Sequence, residues 1–559
     1  MRLNFFPSVS PPFYLPLFAS FCCFVLLLIV GCEPKKTTVP EAPSNTVDAR
    51  PAKIAELIVD RAKDNVPKNL ESSSGQTEFI IMAYNVENLF DIDDQALFDD
   101  YQADKYQAQH LMKKLRGITQ VLSEFQQGRG PEIVLFQELE NDLTPADKPI
   151  DYEKLLKPYQ EMSVEQMLSG EISDAIRDLP AEAFLLKSLH DAGLGPYHVA
   201  VAEFREDPVG RTVAHVNATF SQFPIIESRT HQSDGARGTL EIIHQVGDYP
   251  LHTFNAHWKS GASNQQSEQI RLGNALVVRQ RLDEIFKQDP MADVVLGGDF
   301  NSHYNQSQRY SNWKQTAVND VLGSQGDELA IRQPGGPDLY NLWYELPAEK
   351  RKSDAYRGSW GTLMQLMIAR GLYDYRGIQY IDNSKQVAKI EGVNAQHGSG
   401  LPIRWSTLNG DGTGYSDHFP IFARFRIASE NDPNRMLELE GPGQPGDSEA
   451  ELKGIAVDYS GIPADLILST ETLGSREKIQ NIDNMGRIFN VKSVVSGEKP
   501  FVIQVHGDEY KVWSFDLDLR LKIYERFPLG SEMNFMGELG FHDGMWQFIV
   551  QDISWLDPQ

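Results

Sequence analysis

Apolar residues recur along the chain in short runs of strand length, separated by longer stretches in which they return every three or four positions. Residues 132–136 and 293–296 read as buried strands. Residues 104–126 place Leu111, Leu115, Ile118, Val121 and Leu122 at helical spacing, and residues 265–286 do likewise with Ile270, Leu272, Ala275, Leu276, Leu282 and Ile285. Both patterns predict outer helices packed on a sheet. Residues 239–246 and 251–256, joined around Gly247-Asp248, predict a hairpin, so the sheets are mixed and not wholly parallel. Residues 151–193 form a helical, polar stretch that reads as an insertion.

The two ends of the chain follow different patterns. Residues 18–31 are almost wholly apolar and stop at Cys32, which is short for a membrane span. The order Leu28-Ile29-Val30-Gly31-Cys32 resembles a bacterial lipoprotein signal, which implies a signal peptide over 1–31, lipidation of Cys32, and export to a membrane anchor. Glu33 behind the cysteine favours the outer membrane. Residues 32–75 read as a tether. All three cysteines, Cys22, Cys23 and Cys32, lie in this segment, so no thiol pair remains to staple the fold.

Beyond Ser429 the composition turns to that of a linker, with Gly441-Pro442-Gly443-Gln444-Pro445-Gly446 inside residues 430–450. Short strands are expected at 487–495, 501–505, 510–515, 532–539 and 545–553, giving a separately folding β domain over 451–559. The stretch from Gly530 to Ile553 resembles the closing hairpin of an OB-fold. Such a barrel binds nucleic acid or protein; Trp513, Phe515, Tyr524, Phe541, Trp546 and Phe548 supply aromatic faces, while Asp508, Glu509, Asp516, Asp518 and Glu532 oppose a polyanion.

Length and charge narrow the function classes. The 559 residues carry a formal charge of -26, with no basic footprint for nucleic acid, so a polyanion would approach only where a bound cation reverses the local sign. No internal repeat is visible, and the chain is expected to act as a monomer.

Against this background five segments combine buried runs with polar ends: Tyr84-Asn85-Val86-Glu87-Asn88, Phe136-Gln137-Glu138, Phe254-Asn255-Ala256-His257, Gly298-Asp299-Phe300-Asn301 and Ser416-Asp417-His418. A carboxylate or amide just past a buried strand is held rigidly at the sheet's edge, where several can converge on one ion. Oxygen ligands suit Mg2+, with Mn2+ or Ca2+ as alternatives, and no Cys/His cluster favours zinc.

In order, these motifs resemble those of the endonuclease/exonuclease/phosphatase superfamily, the group built like deoxyribonuclease I, over about residues 79–427. The resemblance implies an α+β fold: a four-layer α/β/β/α sandwich over 76–429, followed by the small OB-like β-barrel. It also implies roles. Glu138, Asn85 and Asp417 would hold the metal; Asp299 would position the attacking water, with Asn301 on the phosphate. His418 would contact phosphate or act as a base, and His257 would protonate the leaving oxygen. Asn255, Lys259 and Arg271 are the further candidates for binding phosphate.

One position departs from the family. Where an Asp that orients the last histidine is expected, this chain has Met364, and a thioether cannot accept a strong hydrogen bond from imidazole. Asp354 or Asp411 could replace it. For His257 the candidate acid partners are Glu203, Glu206 and Asp207. The leading expectation is an exported, membrane-anchored, Mg2+-dependent phosphodiesterase that cleaves nucleic acid. The alternatives are a lipid or sugar phosphoesterase resembling sphingomyelinases and inositol phosphatases, and a binding lipoprotein on a decayed catalytic scaffold.

Overall fold

Alternation along β1 (Glu78–Leu89) sets the layering. Phe79, Ile81 and Ala83 point into one apolar core and Ile80, Met82 and Tyr84 into another, as a period of two requires of a strand buried on both faces. The computed structural model describes residues 78–556 except 145–149, 204–211, 234, 357, 397–398, 408–411, 429, 444–451, 453, 460–461, 463, 474–483, 485 and 543. Cys32, the signal and tether segments, Glu206, Asp207 and Asp411 lie outside the described residues.

β1 is central in a seven-stranded sheet. Its parallel neighbour is β2 (Ile133–Glu140), followed by β4 (His215–Ser221) and β3 (His198–Val201). On the other side lie antiparallel β17 (Ile421–Ile427), then β15 (Ile378–Tyr380), with β16 (Gln386–Val387) also on β17. A second seven-stranded sheet runs β5 (Ile225–His231), β6 (Thr239–Val246), β7 (Tyr249–His257), β8 (Val294–Asp299), β13 (Met364–Ala369), β10 (Leu339–Asn341) and β9 (Ser324–Gln325).

Met364, Leu366 and Ile368 of β13 face the first sheet, meeting Phe79, Ile81 and Phe425 in the core between the sheets, while Met367 and Ala369 face outward. The long helices close the outer faces. α1 (Ala108–Ser123) buries Leu111, Leu115, Ile118, Val121 and Leu122 on the first sheet, matching the spacing in the sequence, and α2 (Ala181–Asp191), inside the polar insertion, packs in the same core. α3 (Gln265–Gln288) covers the second sheet through Ala275, Val278, Leu282 and Ile285. Leu276, expected on that face, is 51% exposed; the face is shared instead with buried Glu268 and Arg271, whose ion pair breaks the apolar stripe. The result is the expected four-layer sandwich.

The C-terminal region forms a closed barrel of β21 (Ile488–Glu498), β22 (Phe501–Val505), β23 (Asp508–Trp513), β25 (Met545–Ile549) and β24 (Glu532–His542), sealed by antiparallel pairing of β21 with β24. The β23–β25 pair is parallel, and a helix not read from the sequence, α4 (Leu517–Arg526), joins β23 to β24. The remaining short strands tie the two parts together. Within the stretch of linker composition, β18 (Asp432–Met436) pairs with β14 (Asp374–Tyr375), and Leu437 is buried in the core between the sheets. β19 (Ile455–Ala456) extends the hairpin of β11 (Asp354–Tyr356) and β12 (Ser359–Gly361), while β20 (Ile467–Ser469) lies beside β21. The barrel core includes Trp360, Ala395 and Phe419 of the sandwich, so it is continuous with the part that holds the motifs.

Candidate active site

Strand ends bring the motifs together. β7 and β8 run parallel with His257 opposite Asp299, and β1 and β2 run parallel with Asn85 opposite Gln137. Gly298 sits at φ 139°, and a side chain there would strike the Ala256 carbonyl, so the approach of β8 to β7 just before Asp299 requires glycine. Glu138 (φ 65°), Glu87 (φ 52°) and Asn301 (φ 48°) take the left-handed backbone. Each such residue costs about 1–3 kcal/mol, a strain that clusters where function fixes a side chain.

The Asn85 amide donates to Glu138 Oε1 at 3.0 Å and to Asp299 Oδ2 at 3.1 Å, while its own oxygen accepts from the Glu87 backbone. His257 Nε2 lies 3.6 Å from Glu138 Oε1 and 3.7 Å from Asp299 Oδ2. His418 Nε2 lies 3.7 Å from the same Asp299 oxygen and 3.7 Å from Asp417 Oδ1. Ser416 fixes the last motif, donating to the Asn85 carbonyl and accepting from the His418 backbone.

The two histidines are held in opposite charge states. Burial, then the charge of Arg237 and the rings of His215 and His418, push His257 well below the ordinary imidazole range, so it is neutral. Burial also opposes charge on His418, but Asp417, Asp299, Asp354 and Glu138 outweigh it and raise the pKa to about 9, an imidazolium at neutral pH. Glu138 is raised by burial and then by Asp417, with Arg237 and the Asn85 amide offsetting part of that cost. Ligand atoms of Glu138, His257 and Asp299 lie within 4.8 Å of one another, a donor set that fits a divalent cation and that such a cation would neutralise.

Several candidates hold other positions. Asn255 is fully buried and engaged on all sides: it accepts from Gln137 and donates to the Phe136 and Ala218 carbonyls, joining the two sheets behind the cluster and not facing a phosphate. Arg271 is also sealed, pairing with Glu268 and donating to the carbonyls of Lys259, Gly261 and Ala262, so its guanidinium folds the loop after β7. Lys259 is half-buried in that loop. Asn301 bridges Asp299 and the Trp258 carbonyl. Asp417 is one-third exposed at the rim, 3.4 Å from Arg404, outside the tight Glu138, His257 and Asp299 group.

Met364 pairs in register with Asp299, but its side chain is fully buried in the core between the sheets. Asp354 takes the neighbouring place: it forms an isolated antiparallel bridge with His418, and its Oδ1 accepts from Ser353 Oγ and the Leu363 backbone. For His257, exposed Glu203 provides no bond, and Nδ1 is buried without a hydrogen-bond partner.

Two residues that the motifs did not point to complete the site. Arg237 is half-buried against His215 and the Trp258 carbonyl, acts electrostatically on Glu138 and Asp299, and has a buried Nε with no partner. His215 stacks on His257 with centroids 6.3 Å apart. Neither belongs to one of the five motifs in the sequence. Glu87, quoted within the first motif, accepts from Arg404 and the Trp405 backbone, and burial followed by Asp417 raises it to about 7.

Residues 215–427 match the model of the endonuclease/exonuclease/phosphatase family. Over these residues the chain is similar to that family. The motifs of β1 and β2 lie before the matched residues, yet in the fold they meet those of β7 and β8 in one cluster. Proteins of this family are phosphoric ester hydrolases.

No curated protein matches the sequence. Among solved structures the chain is similar to a truncated TDP2 from Caenorhabditis elegans, with 12% identity, 63% of this chain and 98% of that one covered, and a TM-score of 0.33. It is also similar to an endonuclease/exonuclease/phosphatase family protein from Bacteroides thetaiotaomicron, with 13% identity, 65% and 99% covered, and a TM-score of 0.34. D. rerio TDP2 complexed with a single-strand DNA product gives 12% identity, 63% and 99% covered, and a TM-score of 0.33.

Proposed function

We propose that this protein is a Mg2+-dependent phosphodiesterase that cleaves nucleic acid outside the cytoplasm, anchored to a bacterial outer membrane through a lipid on Cys32. The observation that carries the catalytic part is one carboxylate, Asp299, lying 3.7 Å from both a neutral and a charged histidine. Glu138 would hold the cation, steadied by Asn85, with Asp417 at the rim. When bound, the cation supplies charge neutralisation at the phosphoryl oxygens.

This chain's own residues divide the remaining work. Asp299 orients a water for in-line attack and takes its proton, with neutral His257 beside it as acceptor. As the water oxygen bonds to phosphorus, the ester bond breaks and the leaving oxygen takes a proton from the His418 imidazolium. This reverses the proton-donor role expected of His257, because its surroundings keep it unprotonated. Arg237 faces the developing phosphoryl charge.

A second reading, lipid phosphoesterase, draws on one observation. Leu97 and Phe98 are 45% and 39% exposed, and Phe98 stands edge-on to His215, which gives the site an apolar rim. Hydrolysis of bis-p-nitrophenyl phosphate, single-stranded DNA, RNA and sphingomyelin with Mg2+, Mn2+ or Ca2+ separates the two. Polymer cleavage supports the nuclease, sphingomyelin cleavage replaces it with the lipid enzyme, and no turnover with any metal overturns both.

A further inference from the structure

Apart from the Glu138, His257 and Asp299 group, three further carboxylates converge in the sandwich. Glu328 precedes β10, Glu345 follows it, and Asp382 comes just after β15 of the other sheet; their ligand oxygens lie within 4.8 Å of one another. Like charges at that spacing repel strongly in a buried setting unless something neutralises them.

The protein groups around them answer only part of that demand. Tyr373 donates to Glu328 Oε1 at 2.9 Å, the Gly443 backbone to Glu328 Oε2 at 2.9 Å, Tyr380 to Glu345 Oε2, and the Glu440 backbone to Asp382 Oδ2 at 2.7 Å. The other oxygens of two of them, Glu345 Oε1 and Asp382 Oδ1, are buried with no hydrogen-bond partner. Tyr340, fully buried on β10, has a hydroxyl that is also without a partner, and all three carboxylates act on it electrostatically. That hydroxyl lies so near Gly443 that a side chain there would collide with it. Buried phenol and carboxylate oxygens left unsatisfied in one place are rare, because each costs about 1–3 kcal/mol.

Two cationic residues adjoin the cluster. Arg332 donates to the Leu437 carbonyl, and Lys385 lies over the Trp343 ring at 2.8 Å with its ammonium nitrogen unpartnered. Burial drives Lys385 toward its neutral form despite Glu345. Arg332 acts on Glu328 and Asp382 from a distance, and its one charge with a lysine turned to a ring does not match three convergent carboxylates.

We propose that Glu328, Glu345 and Asp382, with the Tyr340 hydroxyl, form a binding site for a hard divalent cation, distinct from the catalytic cluster. The all-oxygen donor set selects Ca2+ or Mg2+ over zinc. An ion there ties β10 of one sheet to the end of β15 in the other. It also fixes Glu440 and Gly443, whose backbone amides cap the same carboxylates, and so clasps the segment that leads toward the barrel.

The test uses the full chain carrying Glu138→Gln, treated with EDTA and titrated with Tb3+, whose emission is excited through Trp343 and the nearby tyrosines. A luminescent site should appear, lost in Glu345→Gln/Asp382→Asn and weakened about tenfold in Tyr340→Phe, which keeps all three carboxylates. In the parent chain Ca2+ should raise the melting temperature by a few degrees, and the double variant should lack that rise. Identical Tb3+ binding in parent and double variant overturns the proposal. So does a Tb3+ site that appears only after Lys385→Met, since the lysine would then be the counter-ion. If the double variant does not fold, Tb3+ binding unchanged by Tyr340→Phe decides against the site.

Discussion

Asp354 and His418 meet across an isolated antiparallel bridge, placing a buried carboxylate beside the histidine that lacks an acid at position 364. Asp354→Asn should therefore lower kcat on bis-p-nitrophenyl phosphate about tenfold to a hundredfold with little change in KM. Because the carboxylate raises the His418 pKa, its loss should also move the alkaline limb of the pH profile to lower pH. An unmoved limb would leave Asp354 a merely structural role. Met364→Asp should destabilise without restoring rate, since that side chain is sealed between the sheets.

Glu138→Gln keeps the shape of the side chain but removes the charge that Asn85 and His257 surround. Turnover should fall by roughly a thousandfold or more, with an unchanged circular dichroism spectrum. Wild-type rates at saturating Mg2+ would remove Glu138 from the site.

Arg271 and Arg237 make opposite predictions. Arg271→Ala leaves Glu268 buried and unpaired, which costs about 3–5 kcal/mol, visible in urea unfolding, with KM unchanged in the folded fraction. Arg237→Lys should raise KM for the diester about tenfold with a smaller loss of stability, because a lysine keeps the charge but not the fork. If Arg271→Lys raises KM and Arg237→Lys does not, phosphate recognition belongs to Arg271 after all.

Glu182 on α2 is buried, and that burial raises its pKa to about 7 despite the Tyr152 hydroxyl bond. A carboxyl raised in the folded state stabilises below its unfolded pKa, near 4.5, and that contribution is lost as pH rises through about 7. Unfolding free energy should thus decline between about pH 5 and pH 8, by roughly 2 kcal/mol from this group. Glu182→Gln should flatten that decline; equal slopes in both proteins would show the group to be solvated.

The layers and the central cluster were legible because each rests on a local signal. Strand alternation in β1 and helical spacing in α1 map directly to burial; Asn85, Glu138, His257 and Asp299 each end an apolar run, and His418 stands just before one. What was hidden depends on partners distant in sequence. Arg271 looked available until Glu268 and three carbonyls enclosed it, and Asn255 until Gln137 reached it from the other sheet. Arg237 sits in a loop without periodicity, so its contact with His215 has no one-dimensional trace. The region after Ser429 read as a linker from its Pro and Gly content, but β18 is paired there because strand pairing tolerates proline at an edge.

Phe419, the residue after His418, is fully buried in the core of the barrel. The order of synthesis gives this contact a meaning of its own. When a ribosome has released the last catalytic motif, the barrel's share of the core around Phe419 has not yet been made, since the barrel strands begin at Ile488. A nascent or prematurely terminated chain carries every catalytic side chain but leaves the residue beside His418 without the barrel part of its core. Completion of the site is thus tied to completion of the polypeptide.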